Sequence, residues 1–124
     1  MYLEQRMKST AKGLNRLWFA SKYSWQGLKA GLQSEAALRQ EVLAMLVLLP
    51  VAMLVDVQPA ERALLVFSVF FVFIVELLNT AVEVVVDRIG ADYHPLSGKA
   101  KDLASAAVLF SLCGAAWVWG TILW

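Results

Sequence analysis

The chain has very little of what builds a soluble or disulfide-stapled domain. Its 124 residues include one cysteine, Cys113, so no intrachain disulfide can form. Only 17% of residues are charged, while 60% are hydrophobic and the mean hydropathy is +0.62. A soluble domain of this size could not bury so much apolar surface, which leaves a compact membrane domain. There is no stretch of interleaved basic and aromatic residues, so no nucleic-acid partner is expected. No GxxxxGK[ST] phosphate loop and no protein-kinase glycine-rich loop is present, so any nucleotide site must be built in another way. The first apolar run starts after residue 40, and no cleavable leader is expected. Internal repeats and low-complexity segments are also missing.

The net charge of +1 conceals an asymmetry. Seven of the eleven Lys and Arg residues precede position 40: Arg6, Lys8, Lys12, Arg16, Lys22, Lys29 and Arg39. Such a leader is drawn to anionic lipid. Residues from about 10 to 33 are expected to form an amphipathic surface helix. Leu14, Trp18, Trp25, Leu28 and Leu32 recur at spacings of three, four or seven, with the lysines largely off that stripe. Tryptophan on one side and lysine on the other suit a helix lying in the bilayer interface, or one packed on a partner.

Three spans follow: about 36–55, about 63–86 and about 101–124. Each has roughly 20–24 residues, or about 30–36 Å of helix, enough to cross a bilayer. Pro50 is expected to bend the first. Residues 56–62 (DVQPAER) read as a short polar turn, and 87–98 (DRIGADYHPLSG) as a loop. Trp117, Trp119 and Trp124 near the end of the third span suggest an aromatic belt. The positive charges place the N-terminus and the 87–102 loop in the cytoplasm, and the short turn and C-terminus opposite.

The chemistry concentrates in the second span. An acid at mid-membrane costs about 2.5–3.5 kcal/mol, against about 0.3–0.6 returned by each Leu, Ile, Val or Phe. The span nevertheless carries Glu76, Asn79 and Glu83, with Asp87 following. At 100° per residue these four fall within an arc of about 80°. Ionisable groups at such depth mark functional sites by default. Glu76 and Glu83 are about 10 Å apart along the axis, too far to chelate one metal from a single helix with ease. Glu83, near the mouth beside Asp87, suits hydrated Mg²⁺ bound through one or two carboxylates plus phosphate oxygens. Glu76 lies deeper, where poor solvation makes a carboxylate a better proton acceptor, as a general base needs. The plainer alternative is that both acids pair with Arg, Lys or amide groups between helices.

Lys101 and Asp102 open the third span, and Ser105 follows one turn later. A lysine there can neutralise phosphate; alternatively it snorkels. His94, the one histidine, reads by itself as a surface residue. Glu35 and Glu41 flank Arg39 where the surface helix meets the first span. Glu35 and Arg39 are spaced for a helical ion pair, and both glutamates lie at the interface where Glu83 is expected.

The stretches YSWQGLKAGLQSEAALRQE (residues 23–41), VELLNTAVEVVVDRIGADYHPLSGKAKD (75–102) and SAAVL (105–109) strongly resemble the small prokaryotic integral-membrane diacylglycerol kinases. The likeness extends over roughly residues 14–124. Pro95 after His94, and Lys99 where arginine is common, depart from the pattern. The resemblance implies an all-α homotrimer in the bacterial inner membrane, each protomer with one surface helix and three transmembrane helices. It implies active sites shared between protomers, and ATP- and Mg²⁺-dependent phosphorylation of diacylglycerol to phosphatidic acid. By motif match, Glu76 resembles the general base and Asn79 its neighbour. Glu35 and Glu83 match the metal-associated glutamates. Arg16, Tyr23, Asp92, Tyr93, His94, Lys101 and Asp102 match the nucleotide side, along with Glu35 and Glu83. Trp25, Glu41 and Ser105 match the lipid side, together with Glu76 and Asn79. A related branch phosphorylates undecaprenol. A reading of another class is a small channel or proton-coupled transporter with the acidic stripe lining a pore.

Overall fold

The computed structural model describes residues 12–124. Arg6, Lys8 and the first two positions of the expected surface helix lie outside them. Among the described residues the regular structure is entirely helical: α1 (Leu14–Ser34), α2 (Ala36–Leu54), α3 (Pro59–Ile89) and α4 (Pro95–Leu123). The chain divides into two compact units, one ending at Ser34 and one running from Glu35 to Trp124.

In the first unit, α1 follows Gly13, whose φ of 64° lies in the left-handed region where glycine is unstrained. Phe19 and Tyr23, one turn apart, stack with ring centroids 6.3 Å apart. The Ser21 and Ser24 hydroxyls donate to the carbonyls of Leu17 and Ala20, at 2.8 and 2.9 Å, so neither is left unpaired against the helix. Leu14, Leu17, Trp18 and Trp25 are all exposed.

In the second unit, α3 packs against both α2 and α4, most extensively against α4. Among the described residues the buried apolar side chains are few: Leu38 and Ala52 on α2, and Leu65, Val69, Val72 and Val86 on α3. Many large apolar groups, among them Leu43, Phe67, Phe110 and Trp117, face outward. In water that would be a liability; in lipid it is the ordinary state of a helix surface. All three helices are long and apolar enough to cross a membrane. Helix α2 continues through Pro50 to Leu54.

Two boundaries differ from the sequence expectation. Helix α3 runs past the 63–86 segment at both ends and is about 46 Å long, more than the ~30 Å hydrocarbon layer. It therefore carries Asp87 and Arg88 as helical residues. The supposed 87–98 loop shrinks to Gly90–His94, because Pro95 starts α4 six residues before Lys101. Proline is preset for the first helical position and lacks the N–H that would be orphaned there. The His94 Nδ1 accepts from the Leu96 N–H at 3.1 Å and caps the turn.

The polar turn between α2 and α3 is built with similar economy. The Gln58 N–H donates to Glu61 Oε1 at 2.9 Å. Arg62 reaches back to the end of α2, its Nη1 donating to the carbonyls of Ala52 (2.7 Å) and Met53 (2.9 Å), and its Nη2 to Val57 (3.5 Å). The last carbonyls of a helix have no internal partner, and one guanidinium supplies several donors. Between α3 and α4, Trp119 Nε1 donates to Ser68 Oγ at 3.0 Å, and Ser68 donates to the Leu65 carbonyl at 2.8 Å. Trp119 thus turns inward, while Trp117 and Trp124 are exposed.

Candidate active site

The polar face of α3 grades from depth to surface. Glu76 is 8% exposed, Glu83 is half-buried and the Asp87 side chain is 67% exposed. The 3.6-residue period aligns them, and the length of α3 carries the outer end clear of the apolar layer. Asn79 sits between the glutamates. Its Nδ2 donates to Glu83 Oε1 at 3.3 Å, while its Oδ1 is buried with no hydrogen-bond partner. An unpaired buried carbonyl oxygen is costly, so that atom is an acceptor open to a ligand.

Two further acids reach this face. Glu35, the residue before α2, and Glu83 both act electrostatically on Glu76, and Glu76 acts on Glu41 in the first turns of α2. Like charges held together in a poorly solvated place repel strongly. Glu35, Glu41 and Glu83 are each within electrostatic reach of Glu76. Among the described residues, no three His, Cys, Asp or Glu side chains stand close enough to hold a metal ion by themselves. The donor chemistry fits Mg²⁺ all the same: Glu83 and the open Asn79 Oδ1 are hard oxygen ligands, and Mg²⁺ is typically bound by one or two carboxylates with water and phosphate filling the rest.

At the outer end of α3 the Gly90–His94 loop and the first turns of α4 enclose an open cavity of about 480 Å³. Asp87, Asp92, Tyr93, His94 and Lys101 contribute to its wall. Four of the residues matched to the nucleotide side thus meet at one place. Asp102 faces a neighbouring concavity with Tyr93 and Lys99. Ser105 is exposed one turn further along α4. Arg16, Tyr23 and Trp25 lie on α1.

One contact at the mouth was not visible in the sequence. Lys101 Nζ donates to Asp87 Oδ1 at 2.8 Å. The lysine pairs with the outermost acid of the α3 stripe, across 14 positions of chain, and not with adjacent Asp102. Asp87, read from the sequence only as a neighbour of Glu83 at a metal site, has its carboxylate engaged by a cation. That Asp87 shares the Glu76–Glu83 face was the available signal. Which α4 residue it meets depends on where α4 begins.

Comparison with known proteins places the chain in a family. Residues 22–123 match the family model of prokaryotic diacylglycerol kinase. The chain is 48% identical over 118 residues to the diacylglycerol kinase of Escherichia coli (strain K12), covering 95% of this chain and 97% of the relative. It is 48% identical over 111 residues to that of Pseudomonas aeruginosa, covering 90% of each chain. It is 46% identical over 111 residues to that of Haemophilus influenzae, covering 90% of this chain and 94% of the relative. With a family model spanning most of its length and relatives this similar end to end, the chain belongs to the prokaryotic diacylglycerol kinase family.

Proposed function

We propose that this protein is a membrane-embedded lipid kinase that transfers the γ-phosphate of ATP to the primary hydroxyl of diacylglycerol, giving phosphatidic acid and ADP. The observation that carries the reading is the graded polar face of α3. A buried carboxylate, Glu76, stands at membrane depth on the same stripe as Asn79, Glu83 and Asp87, which ends at an open cavity containing Lys101. A lipid hydroxyl arrives from the bilayer and a nucleotide from the water, and such a stripe joins the two.

Glu76 takes the proton from the lipid hydroxyl as its oxygen attacks the γ-phosphorus. A positioned base contributes about 10²–10⁴ in rate. Glu83 and Glu35 would hold Mg²⁺, which would supply positive charge against the phosphates, as phosphoryl transfer requires. Lys101 supplies a further positive charge to the phosphates. Arg16, Tyr23, Asp92, Tyr93, His94 and Asp102 hold the nucleotide, and Trp25, Glu41, Asn79 and Ser105 the lipid. Helix α1 lies in the cytoplasmic interface, tryptophan side inward. The N-terminus faces the cytoplasm of a bacterium in whose inner membrane three protomers assemble and share their sites.

The test is transfer of labelled phosphate from ATP to a panel of purified lipid alcohols in bilayers. Labelled phosphatidic acid from diacylglycerol, with far less product from undecaprenol, is expected. Preferential labelling of undecaprenol would move the protein to a polyprenol kinase. Ion flux without lipid-dependent ATP consumption would favour the transporter reading.

A further inference from the structure

The Asp87–Lys101 contact joins the outer end of the α3 stripe to the start of α4. Asp87 is the last acid on the α3 stripe, one turn beyond Glu83. Lys101 is the seventh residue of α4, on the other side of the Gly90–His94 loop. Their side chains meet at 2.8 Å on the wall of one cavity that Asp92 and His94 also line. Lysine carries its charge on a flexible four-carbon stem. Left alone at an exposed mouth, with its side chain 44% exposed, it would sweep a wide arc. Asp87 draws it from α4 toward the acidic face of α3. An ammonium has three donors; one is given to Asp87, and two remain for other oxygens.

We infer that Asp87 is a positioning residue for phosphoryl transfer: it holds the Lys101 ammonium over the outer end of the Glu76–Asn79–Glu83 stripe, where nucleotide phosphates must lie for the γ-phosphate to reach the lipid. The inference rests on the kinase reading above. Asp87 acts through Lys101. Its carboxylate also belongs beside a cation: without Lys101 it would add a further negative charge to a face already crowded with acids.

A staple that only joins α3 to α4 and a group that aims Lys101 make different predictions. The experiment uses the full-length protein in bilayers, with Mg-ATP and diacylglycerol varied separately. Asp87→Ala and the near-isosteric Asp87→Asn are expected to raise KM for Mg-ATP about tenfold, a fraction of the ~10²-fold that a 1 Å misplacement can cost. The diacylglycerol KM and the thermal midpoint should stay put, and kcat at saturating Mg-ATP should be largely kept. Asp87→Glu, which retains the charge, should recover most of the loss. The decisive arm is the double variant. In a Lys101→Met background, Asp87→Ala should weaken Mg-ATP binding no further, because the residue it acts through is gone. Unchanged KM for Mg-ATP in both single variants, fully additive losses in the double variant, or equal changes in both substrates' KM values would each overturn the proposal. Absence of lipid-dependent ATP turnover by the unsubstituted protein would remove the kinase reading and this role with it, and is seen before any variant is compared.

Discussion

At the scale of single residues, two carboxylates seven positions apart on one helix have different surroundings and are assigned different work. Glu76 is enclosed, whereas Glu83 is half-exposed, accepts from Asn79, and lies one turn from the water-facing Asp87. If Glu83 serves the metal, Glu83→Gln should raise the apparent KM for Mg-ATP, and raised Mg²⁺ at fixed ATP should restore part of the rate. Kinetics with Mg²⁺ varied check it; a defect indifferent to Mg²⁺ would detach Glu83 from the metal. The stripe itself was legible in the sequence because a 3.6-residue period needs no tertiary knowledge. The approach of Glu35 and Glu41 to it was only outlined by the resemblance and the expected interface. The Lys101–Asp87 pair was hidden, since it depends on how a five-residue loop returns the chain.

At the scale of elements, polar groups tie the second unit together where apolar contact gives no preference for helix over lipid. Arg62 closes the short polar turn read from the sequence. In the structure it satisfies the open end of α2. Hydrogen bonds from a charged donor are worth about 1.5–3 kcal/mol each at best, so Arg62→Ala should cost about 1–3 kcal/mol of stability. Thermal or denaturant unfolding in detergent measures it, and Arg62→Lys should rescue little because lysine lacks the planar fork. Ser68 and Trp119 form a second tie. Interhelical hydrogen bonds in membranes average about 0.6 kcal/mol and reach about 1.7. Ser68→Ala and Trp119→Phe should each cost about that much, and the double variant little more than either. Full additivity would mean the two side chains act separately.

Helix type and the centres of the three apolar segments were readable, because about 20 apolar residues in a row leave few alternatives. The ends were not. Asp87 and Arg88 looked like loop because they are charged, yet a helix longer than the bilayer is thick can carry charge beyond it. Pro95 fell within the expected loop and in fact starts α4. Trp119 was grouped with its exposed neighbours because nothing in the sequence announces a hydroxyl on another helix.

At the scale of the whole molecule, a kinase of this kind needs the cavity at Lys101 to face the compartment that holds ATP. A cysteine introduced at Ala60, in the first turn of α3, should react with a membrane-impermeant thiol reagent applied to intact cells. One at Ala91, in the Gly90–His94 loop, should react only after permeabilisation; the reverse pattern would invert the topology. If sites are shared between protomers, mixing Glu76→Gln with Lys101→Ala protomers should restore activity in verified mixed assemblies, and no recovery at any ratio would place both residues in one self-contained chain. The central claim, that the buried acid of α3 drives phosphoryl transfer to a lipid, meets its most direct test in one comparison. Unsubstituted and Glu76→Gln protein are given labelled ATP and diacylglycerol in the same bilayers, and labelled phosphatidic acid is counted. Label is expected in the lipid from the first and a fall of about 10²–10⁴ in the second, with Mg-ATP binding near normal and no rescue by added Mg²⁺. Equal labelling by the two proteins, or a Glu76→Gln defect cured by Mg²⁺, would contradict it.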